Sequence, residues 1–335
     1  MSAAFEGNFE LSSADKTIVL RPANPPRRLD RPNGFTAASV AVGINGDAIR
    51  LLVPEEQAQA LVARTVQPGW ASFPKTHTDG EYSAVFSISS AAGTREVRLS
   101  GLTATFAKVE VLPDGELLIV ASRCFRSGDG NYELNAKIFD LDGKQKYAFL
   151  LGDGISHVQC DAKGNIWVGY FDEGVYGNFG WQYELDLLGR AGLSCFTQNG
   201  QKIWDFEPPK GFDYISDCYA LNVSGTGAWA YYYSDFSVAF IDSDWHVHAW
   251  KTHTSGSRTF AIGNERILLY GGYGDRRTSC SLLKLKDGAA EFIGEVSLVL
   301  PSDIDLSKAT VIGRDRTLHV FSNDEWYVFS IDSLI

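Results

Sequence analysis

The segment Phe106–Leu150 contains two hairpin signals, one after the other. Residues 106–125 read FAKVEVLPDGELLIVASRCF and turn at Asp114-Gly115, and residues 135–150 read NAKIFDLDGKQKYAFL and turn at Asp142-Gly143. An Asp-Gly pair between alternating apolar residues favours a two-residue turn, because glycine readily adopts the positive φ that such turns need. This segment therefore predicts four consecutive antiparallel strands.

The same arrangement recurs along the chain, as expected of a repeat architecture. Six copies can be aligned, at 35–99, 106–150, 157–206, 219–250, 259–296 and 309–332. The sixth copy ends after what would be its third strand, while the strand-like stretches FEGNFELSS and TIVLRP precede the first copy. The two ends of the chain can therefore complete one blade together.

These repeats predict an all-β fold, a six-bladed β-propeller with four-stranded antiparallel blades that occupies residues 1–335 as a single domain. An N-terminal strand at about residues 5–20 is expected to complete the last blade and close the ring. Blade one carries a long insertion at about 54–80, which begins with a helix over Pro54–Arg64, because proline and two acidic residues open a run of helix formers. A pair of β-sandwiches is the competing architecture, but the regular succession of hairpins favours blades.

Composition narrows the possible functions. The 335 residues include 30 Lys and Arg against 41 Asp and Glu, a formal net charge of −11. This balance argues against nucleic acid as a partner, because binding to phosphate backbones depends on a local excess of cations. No apolar run approaches the roughly 18 residues that a membrane span needs, and the N-terminus does not resemble a secretory signal, so we expect a cytoplasmic protein without a membrane partner. The five scattered cysteines indicate neither a disulfide framework nor a zinc site and are expected to be small buried residues.

A ligand site is expected on the face that carries the loops between second and third strands, because these loops are long and mixed while the opposite turns are short. The candidate ligand-binding residues in these loops are Arg123, Arg126, Asp129, Asn131, Asp172, Glu173, Tyr176, Asn178, Trp181, Tyr233, Asp235, Tyr273, Asp275, Arg276 and Arg277. The channel ends of the first strands add His157, Asp217, Arg258 and Lys108. Aromatic walls with convergent charges fit a polar small molecule or a partner segment. The alternative interpretation is that arginines pair with carboxylates and hold the loops to one another.

Three further patterns could carry chemistry. Asp172 and Glu173, with acidic residues of neighbouring loops, could gather around a hard divalent cation such as Ca²⁺ in the central channel. Cys218, beside Asp217, could pair with His157 as an activated thiol, although a buried structural cysteine is the more common case. His246 and His248 alternate in a strand like a metal-binding pair, but they fall in an outer strand without ligands at an obvious spacing.

Several blade phrases resemble known bacterial propellers. CDAKGNIWVGYFDEGVYGN at 160–178 and VLPDGELLIVASR at 111–123 resemble the repeats of six-bladed propellers of the NHL and two-component-regulator type. FDEGVYGNFGW at 171–181 and ISDCYALNVSGTGAWAYYYSDF at 215–236 are similar to a set of uncharacterised bacterial propellers. These resemblances imply the fold and transfer no activity.

A weaker resemblance points to gluconolactonase-like propellers, which hold a divalent cation in the channel and hydrolyse sugar lactones. Arg31-Pro32-Asn33-Gly34 resembles one of their Pro-Asn-Gly elements, so Asn33 is the residue that carries over. Two functions follow as hypotheses. The first is a propeller that binds a polar small molecule or partner segment on its loop-rich face, and the alternative is a metal-dependent hydrolase or lyase at the channel mouth.

Overall fold

A computed structural model describes residues 18–65, 69, 72–183 and 187–334 of the chain. Six sheets of four or more strands are arranged around a central channel, and the first strand of each sheet contacts the first strands of both neighbouring sheets. The fold is therefore a six-bladed β-propeller, as the repeats predict. None of the described helices is long and apolar enough to cross a membrane.

Each blade runs from the channel outwards in chain order. The blade strands are Phe35–Val42, Ala48–Pro54, His77–Ser90 and Gly93–Ala104 in blade one; Lys108–Val111, Leu117–Val120, Ala136–Phe139 and Gln145–Phe149 in blade two; Ile155–Cys160, Ile166–Tyr170, Leu193–Phe196 and Lys202–Asp205 in blade three; Asp217–Ser224, Gly227–Tyr233, Val238–Asp242 and Val247–Trp250 in blade four; Thr259–Ile262, Arg266–Tyr270, Cys280–Lys286 and Ala289–Leu298 in blade five; and Thr310–Arg314, Thr317–Ser322 and Glu325–Ser330 in blade six. The remaining elements are the strands Ile18–Leu20 and Arg27–Arg28, the ribbon Arg64–Thr65 with Phe73–Pro74, the α-helices Ala58–Leu61 and Asp172–Tyr176, and the 3-10 helices Glu55–Gln57, Trp181–Tyr183, Gly274–Arg276 and Ile331–Leu334.

The N-terminal segment closes the ring through a different stretch from the predicted one. Arg27–Arg28 pairs antiparallel with Glu325–Ser330 and forms the fourth strand of blade six. The predicted closing segment was 5–20; its described part, Ile18–Leu20, pairs in parallel with Ala289–Leu298 as a fifth strand of blade five, and residues 5–17 lie outside the described residues. The apolar side chains explain this placement, because Ile18 and Leu20 pack into the cluster between blades five and six.

Apolar clusters fill the space between neighbouring blades. Each of the six junctions holds one cluster, and the junction between blades six and one is covered by Leu29, Val42, Phe321 and Trp326. All five cysteines are free and buried, in agreement with their prediction as small core residues. Since burial of apolar surface stabilises by about 25 cal/mol per Å², these clusters provide the main attraction between the blades.

A buried polar network closes one end of the channel. Arg314, at the end of the first strand of blade six, reaches across the axis to blade three, where its Nη1 donates to Oε1 of Gln159 (2.7 Å) and its Nη2 donates to the carbonyl of Cys160. Nη1 also lies 3.6 Å from Oε2 of Glu110 in blade two. Both ionic side chains are almost completely buried.

The same network reaches the other blades through two amides. Gln159 donates to the carbonyl of Leu221 (3.2 Å) and accepts from the backbone N–H of Val223 (2.7 Å), both in blade four. Asn222 donates to the carbonyl of Phe260 in blade five (2.7 Å) and accepts from the N–H of Asp315 in the first turn of blade six (2.6 Å). Side-chain hydrogen bonds thus tie together blades that are distant in the chain, and the channel is blocked at this end.

Replacing Arg314 tests how much the ring depends on this network. Arg314→Met leaves the carboxylate of Glu110 and the amide of Gln159 buried without their cationic partner, so we expect a loss of about 3–5 kcal/mol in the free energy of unfolding. Arg316→Met is the matched control, because the Arg316–Asp332 pair is partly exposed and such pairs contribute about 0–1 kcal/mol. Urea unfolding followed by tryptophan fluorescence measures both variants. Equal losses would contradict a special role for the buried network.

Candidate functional site

The loop-rich face is formed by the loops between second and third strands together with the N-terminal ends of the first strands. Antiparallel succession within a blade brings both features to the same side, opposite the blocked end of the channel. The predicted site residues are therefore found on one face, but the structure divides them into three groups: residues that hold the loops together, an aromatic cluster beside the channel, and basic residues inside it.

Arg123 holds the loop of blade two against that of blade three. Its guanidinium donates twice to Asp153 (2.9 and 2.8 Å), lies 2.6 Å from Oε2 of Glu173, and sits 4.3 Å from the ring centre of Phe179. Glu173 in turn accepts from Nδ2 of Asn178 (2.7 Å). Only 2% of the Arg123 side chain is exposed. Arg123, Glu173 and Asn178 are thus used for loop packing in this structure, as the ion-pair interpretation describes.

Other predicted residues contact their own loop or the loop of a neighbouring blade. Asp129 accepts from the side chain of Asn131 (2.7 Å), and Arg126 lies 6.0 Å from the ring centre of Trp181. Asp172 and Asp235 each accept from a backbone N–H one or two residues further along the chain. At the rim, Arg276 donates to Ser281 and lies 3.5 Å from Glu295, while Asp275 and Arg277 are exposed. These loops carry their charges mainly in local interactions.

An aromatic cluster lies beside the channel on blades four and five. We call Tyr219, Tyr233, Phe236 and Tyr273 the tyrosine cluster. The hydroxyl groups of Tyr219 and Tyr273 are 2.6 Å apart, and the ring of Tyr219 stacks on that of Tyr233 with centres 6.2 Å apart. Nearby, the Tyr176 hydroxyl donates to Ser216 (2.8 Å). Tyr219 is absent from the predicted site because it lies in a first strand, where a register shift between Cys218 and Ala220 places it at the channel rim.

The channel itself contains a cavity of about 210 Å³ between the loop-rich face and the polar network. All six blades contribute to its wall, which carries the basic side chains of Lys108, His157 and Arg258. Several hydroxyl and amide groups complete the polar part of the lining, namely Ser39, Ser156, Gln159, Thr259 and Thr310. Among the described residues that form this wall there is no carboxylate.

Burial lowers the pKa values of two basic groups of the cavity, His157 and Lys108. The Nε2 atom of His157 lies 3.1 Å from the carbonyl oxygen of Tyr219, so Nε2 carries the proton and donates it. Burial and the nearby ammonium group of Lys108 lower the pKa of His157 to about 4, and burial also lowers the pKa of Lys108. His157 is therefore neutral at pH 7.

The pairing of Cys218 with His157 as an activated thiol finds no support in this geometry. Sγ of Cys218 is directed to the carbonyl of Ala220 (3.7 Å), and the residue is buried. Burial, with a contribution from the charge of Asp217, raises the pKa of the thiol. A thiolate is the nucleophilic form of cysteine, so Cys218 is better described as a core residue.

Asp217 lies at the channel mouth in an unusual electrostatic environment. Burial, together with the negative charge of Asp172, raises its pKa to about 7. Its carboxyl group therefore changes charge near neutral pH, and the number of negative charges at the mouth changes with it.

This shift predicts a pH-dependent stability. A carboxyl group whose folded pKa is raised stabilises the fold in its protonated form, so its contribution is complete below about pH 4 and is lost as the pH rises through about 7. As the pH rises from 5 to 8, we expect the free energy of unfolding of Asp217→Asn, measured with urea, to increase relative to that of the wild type. Asp129→Asn is the control, because hydrogen bonds from Ser127 and Asn131 lower the pKa of Asp129 and leave it ionised throughout this range. A difference between wild type and Asp217→Asn that does not change with pH would contradict the shift.

A group of residues with metal-ligand atoms lies away from the channel. The ligand atoms of Asp242, Asp244 and His246 are within 4.8 Å of one another in the turn between the third and fourth strands of blade four. This turn is on the face opposite the channel mouth. Asp242 accepts from the backbone N–H groups of Asp244 (2.9 Å) and His246 (3.0 Å), and His248 lies 3.3 Å from its other oxygen. Formation of the turn accounts for this arrangement.

The chain matches one family model in part, and several solved structures of low sequence identity are similar to it. The model of the YxzG family matches residues 190–328, which is less than half of the chain, and no curated protein matches. Among solved structures, the chain is similar to a catalytically inactive virginiamycin B lyase from Staphylococcus aureus with quinupristin (11% identity, covering 91% of this chain and 99% of that chain, TM-score 0.40). It is also similar to a gluconolactonase from Xanthomonas campestris (12% identity, covering 95% of this chain and 99% of that chain, TM-score 0.41). A third similar structure is BamB from Moraxella catarrhalis (11% identity, covering 92% of this chain and 85% of that chain, TM-score 0.42).

Proposed function

We propose that this propeller binds a small anionic molecule in the central channel, with Lys108 and Arg258 supplying the positive charge. One observation carries the proposal: a closed-ended cavity in a chain of net charge −11 has basic side chains in its wall and no carboxylate among its described lining residues. The chemical class of the ligand is a small carboxylate or phosphate. Hydroxyl groups on the wall provide further donors.

The two cations are available to such a ligand. Among the described residues, neither Nζ of Lys108 nor the guanidinium of Arg258 takes part in an ion pair or a side-chain hydrogen bond. Lys108 is enclosed by the channel wall, and an enclosed charge without a partner is unfavourable. A bound anion would supply the missing partner, and charge-assisted hydrogen bonds in such surroundings are about twice as strong as neutral ones.

The arrangement of the loops supports a binding site more than a metal centre. Arg123 and Glu173 are already paired, so the loops provide a fixed rim around the mouth. A hard cation prefers several oxygen ligands, and carboxylates are absent from the described cavity wall. Asn33, which resembles a gluconolactonase ligand, lies in an exposed turn. A metal-dependent hydrolase or lyase with Ca²⁺ in the channel thus has less support than an anion-binding site. Binding of a partner segment also has less support than binding of a small anion.

Thermal denaturation in the presence of small anions tests the proposal. We expect sodium phosphate or pyruvate to raise Tm at constant ionic strength, since a ligand at about 100 times its Kd stabilises the folded state by ~2.7 kcal/mol. Lys108→Met and Arg258→Met should each lose this rise. Arg276→Met is the control, because Arg276 lies on the rim beside Glu295 and outside the cavity wall.

Two results would contradict the proposal. An anion-dependent rise in Tm that is unchanged in both Lys108→Met and Arg258→Met would place the anion elsewhere. A rise in Tm with Ca²⁺, and with no anion, would favour the metal-dependent alternative.

A further inference from the structure

We infer that Lys108 is a nucleophile that captures the carbonyl carbon of a small keto or aldehyde acid as an imine, while Arg258 holds the carboxylate of the same molecule. This inference rests on the proposed anion site and assigns it a chemistry. The ligand class becomes narrower: a small acid with a reactive carbonyl group, such as an α-keto acid.

The positions of the two side chains carry the first part of the argument. Lys108 begins the first strand of blade two, and Arg258 directly precedes the first strand of blade five. In a ring of six blades, blades two and five are opposite each other, and both residues line the same cavity. Lys108 and Arg258 thus face the same cavity from opposite sides, and Arg258 does so from its exposed mouth. Guanidinium groups are well suited to carboxylates, because they offer two parallel N–H donors.

The surroundings of Lys108 favour the neutral form of its amine. Lys108 lies inside the channel wall and, among the described residues, has no acidic partner that would hold it as an ammonium ion. Burial lowers its pKa, which increases the fraction of neutral amine, the nucleophilic form. Lys144, in contrast, is an exposed lysine in a hairpin turn and serves as a comparison.

His157 supplies a base in the same cavity. Because its Nε2 donates to the carbonyl of Tyr219, the lone pair of the neutral ring is on Nδ1. The nitrogen of Lys108 attacks the carbonyl carbon, a C–N bond forms, and the carbonyl oxygen becomes a hydroxyl group. That hydroxyl leaves as water with a proton from the nitrogen, which Nδ1 of His157 can relay, and the C=N bond forms. The reaction consumes one amine and one carbonyl, releases one water and requires no oxidant or reductant.

Reductive trapping tests the inference on the full chain. The protein is incubated with pyruvate or glyoxylate at pH 7, treated with sodium borohydride and weighed by mass spectrometry. Reduction of an imine adds the mass of the acid minus one oxygen atom, and we expect a single addition that peptide mapping places on Lys108. Lys144→Met should keep the adduct. Lys108→Met and Lys108→Arg should lose it, and Lys108→Arg should retain part of the anion-dependent rise in Tm because it keeps the charge.

The outcomes separate this inference from the proposed function. A rise in Tm with pyruvate but no adduct on Lys108 would overturn the imine and leave anion binding intact. Adducts spread over exposed lysines, unchanged in Lys108→Met, would also overturn it. Neither a rise in Tm nor an adduct would overturn both proposals.

Discussion

The side chain of Arg314 crosses the propeller axis, and the shape of the channel depends on it. Propeller blades attract their neighbours through apolar contacts, but these contacts act only around the ring. Arg314 adds a connection across the ring, from blade six to Gln159 and Cys160 in blade three and to Glu110 in blade two. Because a buried ion pair is retained only with good geometry and further hydrogen bonds, the inner strands are held in fixed positions at this end.

The closed end gives the cavity its chemical character. The carboxyl group of Glu110 lies in the polar network below the cavity, where Arg314 and the N–H groups of Val111 and Cys160 contact it, and burial raises its pKa. The loops on the opposite face are fixed independently through Arg123, Asp153 and Glu173. Between these two rigid layers, Lys108 and Arg258 face a cavity with no acidic partner among the described residues. Rigid surroundings with unpaired cations are what an anion site needs, because little reorganisation accompanies binding.

Much of the fold could be predicted because the blades consist of local hairpins. Asp114-Gly115 and Asp142-Gly143 specify turns within a few residues, and both glycines adopt positive φ in the structure (90° and 82°). The closing strand was harder to predict from the sequence, since its partner, Glu325–Ser330, lies at the other end of the chain. Arg27–Arg28 is only two residues long and has no apolar alternation that would mark it as a strand.

The candidate site could be predicted only in part, because most of its contacts join residues that are distant in the chain. The loop-rich face and the inward positions of Lys108, His157 and Arg258 follow from the blade pattern. The pairing of charged side chains does not. Arg123 and Arg126 are three residues apart in one loop, yet Arg123 is buried in ion pairs with Asp153 and Glu173, whereas Arg126 lies against the ring of Trp181. Arg314 and Gln159 are separated by 155 positions, so no local signal identifies their hydrogen bond. Tyr219 depends on a register shift within its strand, which alternation alone does not indicate.

The central claim is that the channel is an anion site made by two cations from opposite blades. A crystal structure of the protein in bromide, with the anion located by its anomalous scattering, tests this claim most directly. The account predicts a bromide ion in the cavity within reach of both Lys108 and Arg258, and its loss in crystals of Arg258→Met. Bromide bound only on the outer surface, with the two side chains paired to carboxylates instead, would contradict it.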